Sequence, residues 1–148
     1  MRLINHVLIL LIFVFLAACS TYILKPADFS WPIESVLKVD NKGNIEEQRY
    51  SLIIRVKSLY FQEFADSMNF AGKEIRMIRD KAGYIFMTGK DFKNVYVFIP
   101  VEGGFKLENK ILISEKNLSA PAFNQKLQNI ELLDGTNKYL LNNKGLVR

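Results

Sequence analysis

The chain has 148 residues, 20 Lys+Arg against 15 Asp+Glu, one His and one Cys, and a formal charge of +5. That length holds one ordinary domain. The basic residues are scattered with no block of like charge, which argues against a nucleic-acid stripe.

The amino terminus sets the address. After Arg2, residues 7–18 form an uncharged apolar run. It is shorter than the roughly 20 residues needed to cross a bilayer and fits the core of a signal peptide. Leu16-Ala17-Ala18-Cys19 follows. This segment resembles the lipobox of bacterial lipoproteins. The resemblance implies cleavage between Ala18 and Cys19, a thioether-linked diacylglycerol on Cys19, and a cell-envelope location. Ser20 stands where Asp would signal inner-membrane retention, so the outer membrane is expected if the organism has one. The resemblance covers the targeting segment alone.

The expected organisation is a signal peptide over 1–18, a lipidated tether over 19–32 and one β-rich domain over 33–148. His6, the only histidine, lies in the signal, and lipid consumes the only cysteine. The mature chain thus has no Cys–His or Ser–His–Asp arrangement, no His/Cys site of the kind zinc or copper prefers, and no internal disulfide. No cofactor and no metal are expected.

In the tether, Pro26 and Pro32 disfavour regular structure, and Trp31 is a candidate interfacial aromatic, with packing on the domain as the alternative. Beyond it the period is two. Residues 34–40 read as a strand leading through Asn41-Lys42-Gly43-Asn44 into a second strand, where Tyr50, Leu52, Ile54 and Val56 alternate with Arg49, Ser51, Ile53, Arg55 and Lys57. Tyr60, Phe61, Phe64 and Met68 have helical spacing, with Ser58 placed to cap and Gly72 to stop. Residues 73–80 and 84–88 form a hairpin around Gly83, and 95–99 is the most apolar strand. Gly103-Gly104 turns into 105–107 and 111–113, and Asp134-Gly135 separates strands 130–133 and 139–141. Phe123, Leu127 and Ile130 suggest a second short helix after Pro121.

The expected fold is all-β, a mainly antiparallel meander closing as a small sandwich or barrel, with one or two short helices. Leu52, Ile54, Val56, Val97, Ile99 and Leu107 are expected in the core, with Tyr50 and Phe86 at least partly buried.

Carboxylates are the remaining acid–base groups. Glu46 and Glu47 are adjacent, so a strand sends them to opposite faces. Glu63 and Asp66 read as an exposed helix face, and Asp40, Asn41 and Asn44 as a turn rather than a calcium loop. The first functional expectation is therefore a non-enzymatic interaction or assembly subunit of an envelope complex, held to the membrane through Cys19 and meeting an envelope protein partner. A free sheet edge, or the basic positions Arg49, Arg55 and Lys57, is its candidate binding surface. The alternative is a carrier or sensor of an apolar or lipid ligand, with anionic lipid as a further possible partner. A concave apolar face distinguishes it from a dry packed core. A carboxylate-based hydrolase of envelope glycans comes third.

Overall fold

Two five-residue segments, Asp40-Asn41-Lys42-Gly43-Asn44 and Asp80-Lys81-Ala82-Gly83-Tyr84, show how this chain turns. In each, the Asp N–H donates to the carbonyl four residues on (2.9 Å), and the Gly N–H returns to the Asp carbonyl (3.1 Å). The Asp Oδ1 accepts from the closing residue's N–H, at 2.7 Å in the first turn and 2.8 Å in the second. The glycines take φ of +81° and +96°, which an L side chain resists. The second turn makes an ordinary hairpin. The first does not, because its two arms part and join different sheets.

The computed structural model describes residues 33–66 and 68–147, which belong to one compact unit. Eleven strands occur among them: β1 (Ser35–Lys38), β2 (Asn44–Glu47), β3 (Leu52–Arg55), β4 (Glu74–Arg79), β5 (Ile85–Gly89), β6 (Asn94–Val101), β7 (Gly104–Leu112), β8 (Pro121–Lys126), β9 (Asn129–Asp134), β10 (Asn137–Asn142) and β11 (Gly145–Leu146). One α-helix, α1 (Lys57–Phe64), follows β3. All pairings are antiparallel. Five strands form one sheet in the order β1-β4-β5-β6-β7, four form a second in the order β11-β10-β9-β8, and β2-β3 is a separate ribbon. The sheets are open, so the architecture is a sandwich with a ribbon and helix added, not a closed barrel.

Register sorts the five-stranded sheet into two faces. Val95, Val97, Phe86, Ile78 and Ile111 share one, and each is at most 5% exposed. The four-stranded sheet covers it with Phe123, Ile130, Leu132 and Leu141, β8 lying against β4 and β11 against β7. A polar stitch crosses between layers: Glu34 accepts from the Phe123 N–H (2.7 Å) and from Arg76 (3.2 Å). The other face carries Leu37, Ile75, Met77, Ile85, Met87, Tyr96 and Phe98, beneath the ribbon and α1.

An aromatic cluster fastens α1 to that face. Tyr60 and Phe64, one turn apart, meet Phe92 edge-on at 5.6 and 5.2 Å, and Phe92 meets Tyr96 at 6.3 Å. Each such pair adds about 0.5–1.5 kcal/mol beyond its buried area. Glu63, also on α1, accepts from the Lys93 N–H, Asn94 Nδ2 (2.9 Å) and Tyr96 OH (2.7 Å).

Several local expectations need correction. The strand expected over 49–57 is only Leu52–Arg55. Glu47 draws the Arg49 N–H onto its carboxylate (3.0 Å), the chain makes a 3-10 turn over Gln48–Tyr50, and Ser51 is left-handed at φ 51°. β3 pairs with β2 rather than with the strand at 34–40, which pairs with β4. Ser58 does not cap α1; Val56 is the N-cap and offers no side-chain bond. The helix ends at Phe64, with left-handed Ala65 returning its N–H to Phe61 (2.9 Å), well before Gly72. The second helix, over Phe123, Leu127 and Ile130, is instead the β8–β9 hairpin. Pro121, Phe123 and Gln125 alternate inward, and Leu127 turns the chain at φ 59° with 81% of its surface exposed.

Candidate functional site

The expected core residues do not all reach the core. Val56, Val97 and Phe86 are at most 2% exposed. Leu52, Ile54 and Ile99 are half-buried, Tyr50 is 41% exposed, and Leu107 is 44% exposed. Leu107 and Tyr50 are therefore corrected to surface positions. The reason is shared: Tyr50, Leu52, Ile54 and Leu107 line an open groove of about 950 Å³.

The groove follows from the sheet's covered face being wider than its cover. Ile85 and Met87 of β5 and Tyr96, Phe98 and Pro100 of β6 supply its floor. Register places Phe98 beside both Ile85 and Leu107, and Pro100 beside Phe105, so the floor runs on into β7. β3 forms the facing wall, presenting Leu52 and Ile54 to the trough, while Ile53 (75% exposed) and Arg55 point to its outer side. Val56 and Leu59 close the end nearest α1. Fully burying a Leu or Phe side chain is worth about 1.5–3 kcal/mol, and the half-buried residues here leave part of that unrealised.

Polar groups sit at the margins. Arg79 and Arg55 are the charged residues of the lining, with Ser58 in the first turn of α1 and Gln62 in its last. Tyr96 is held neutral: burial raises its pKa, and the hydrogen bond to the Glu63 carboxylate raises it further. Tyr60 is pushed up to about 12 by burial, and its hydroxyl finds no hydrogen-bond partner among the described residues. Neither phenol is set up as an acid or base near neutrality.

The three basic candidates do not form one surface. Arg49 is bound through Nε to Glu47 (3.0 Å) and through Nη2 to Ser35, beside the β2–β3 turn. Glu47 is 3% exposed; burial alone would raise its pKa, but the bonds from Arg49 and Ser35 more than offset this and hold it low. Lys57 begins α1, with its stem over Gly43 and its ammonium 5.4 Å from the Phe70 ring. Arg55 alone of the three combines exposure with a place on the groove. Cys19, Ala18 and Trp31 lie outside the described residues.

The acidic candidates resolve differently. Glu63 is docked on β6 rather than presented to solvent, and Asp66 lies past the helix end, where its Oδ1 accepts from the Met68 N–H (2.8 Å). Burial of one member and the left-handed break at Ala65 separate the expected pair. Asp40 and Asn44 build the first turn. Among the described residues, no three His, Cys, Asp or Glu converge as a metal site. Sequence reasoning missed the groove and Arg79. Strand alternation marks an inward face but not whether another layer covers it. No family model, curated protein or solved structure matches the chain, so its site stands on this geometry.

Proposed function

We propose that this is a lipid-anchored envelope protein that works by binding, and that the groove between β3 and β5–β7 receives the apolar part of its ligand. The carrying observation is that Leu52, Ile54, Phe98, Phe105 and Leu107, arranged as a core face, line open space of about 950 Å³ instead. That size lies at the upper end of ordinary ligand sites, and the combination of an apolar trough with few polar groups at its margin is their usual composition. A concave apolar face is what separates a carrier or sensor of an apolar ligand from a plain assembly subunit, so the ligand-binding reading moves ahead. Anchoring through Cys19 would hold the groove beside a source of apolar ligand. Among the described residues no helix is long and apolar enough to cross a membrane.

The assembly reading keeps one supporting observation. The bond from Val56 N–H to Gly43 O (2.9 Å) fixes the register, so the N–H and C=O groups of Ile53 and Arg55 point away from β2. An extended segment of an envelope partner could add there.

The test is extraction of lipid from protein purified out of its native host. Wild type should carry a stoichiometric apolar molecule, and Leu107→Trp, which fills the trough from a surface position, should lose it. An empty wild type, or one whose load is unchanged by Leu107→Trp, rejects the groove as the site. In parallel, Cys19→Ala should leave the membrane fraction; retention there would reject the anchor.

A further inference from the structure

The four arginines among the described residues divide by what holds them. Arg49 is tied to Glu47, and Arg76 to Glu34 (3.2 Å) and Glu74 (3.8 Å). Arg55 and Arg79 make no ion pair with a described residue, and these two line the groove, whose lining contains no carboxylate. The arginines that brace the fold have ion-pair partners; Arg79, at the trough, has no ion pair among the described residues and feels only at longer range the charge of Asp80, its neighbour in the chain.

Arg79 and Arg55 are not equivalent. Arg79 stands opposite Ile85 in register, so its side chain rises from the sheet face that floors the groove. Its guanidinium lies 6.0 Å from the centre of the Tyr50 ring, which limits its wandering. Asp80, next in the chain, spends its carboxylate on the turn, accepting the Tyr84 N–H at 2.8 Å. Arg55 leaves β3 on the same side as Ile53, away from the trough, and can attract an anion without reaching into the floor.

We infer that the groove takes an acyl-chain amphiphile with an anionic head, the chain lying along Leu52, Ile54 and Phe98 and the head meeting Arg79 beside Tyr50. This rests on the groove being the binding site, and it names the ligand class. A planar guanidinium offers two parallel donors to a carboxylate or phosphate, which a lysine does not. The source is membrane lipid, and the head sits at the exposed margin, where Arg79 and Tyr50 both meet solvent.

The experiment uses the full chain in phosphatidylcholine nanodiscs, offered a diazirine-bearing fatty acid or its neutral methyl ester, with labelled peptides read by mass spectrometry. The acid should label β3 and β5–β7 about fivefold more than the ester, the scale of one partly exposed charge pair. Arg79→Gln should bring the acid down to the level of the ester, and Arg79→Lys should restore only part of the preference. Lys106→Gln removes the same charge from the opposite sheet face and should leave the ratio unchanged. Equal groove labelling of wild type by acid and ester overturns the head-group assignment while leaving the groove reading intact. No groove labelling by either probe removes both. Loss of preference in Lys106→Gln as large as in Arg79→Gln would reduce the effect to net charge and overturn the assignment.

Discussion

Removing the Glu63 carboxylate should loosen α1 more than its position on a short helix suggests. Glu63→Ala deletes the acceptor for the Lys93 N–H, Asn94 Nδ2 and the Tyr96 hydroxyl. Lys93 is exposed and Asn94 half-buried, so water replaces the carboxylate for those two at small cost. Tyr96 is 1% exposed, so its hydroxyl is stranded. An orphaned buried hydroxyl costs about 1–3 kcal/mol, and the two outer bonds add roughly 0.5 kcal/mol each, which gives about 2–4 kcal/mol in total. Urea unfolding followed by far-ultraviolet circular dichroism, on a soluble chain beginning at residue 19 with Cys19→Ala, measures it. Combined with Tyr96→Phe, Glu63→Ala should cost at least about 1 kcal/mol less than the two single losses added together, because the stranded group is gone. A single loss under about 0.5 kcal/mol, or strict additivity in the double variant, would refute the account of Glu63 as the clasp between α1 and β6.

Tyr60→Phe removes a buried hydroxyl that has no hydrogen-bond partner among the described residues. It should leave stability unchanged or raise it by up to about 1 kcal/mol in the same assay, whereas a loss above that would mean the hydroxyl is satisfied. Glu47 has a depressed pKa, so its contribution is present above the unfolded carboxylate value near 4.5 and disappears as pH falls through the folded one. Glu47→Gln should therefore lower the urea midpoint at pH 7 and flatten its decline between neutral and acid pH. Asp80 runs the other way: burial raises its pKa despite the N–H groups of its turn, so its protonation offsets part of that decline, and Asp80→Asn should steepen the fall of the urea midpoint between neutral and acid pH.

What could be read from the sequence was set by local rules. The hairpins at Gly83, Gly103 and Gly135 announce themselves through a left-handed residue between two apolar runs, and each is found. The interior place of β6 follows from its five consecutive apolar residues. β2 was invisible because only Ile45 and Glu47 of its four residues point inward, and one of them is charged. β8 was misread because three apolar residues with helical spacing outweighed the shorter alternation of Pro121, Phe123 and Gln125. The groove was unreadable for a different reason. Leu107 alternates correctly on β7, and nothing within β7 records that the layer above it stops short.

The parting of strands at the first turn has a kinetic consequence. β4 through β7 and β8 through β11 are successive hairpins whose partners are near in sequence. β1 must instead find β4 across the whole ribbon and helix, pairing Ser35 with Met77 and Lys38 with Glu74. Closing that loop precedes any reward from its contacts, so it belongs late in folding. The wall supplied by β3 lies inside the loop and is joined by backbone bonds to β2 alone among the described strands. The β3 wall of the groove is thus expected to dock late in folding and to open at a cost below that of global unfolding.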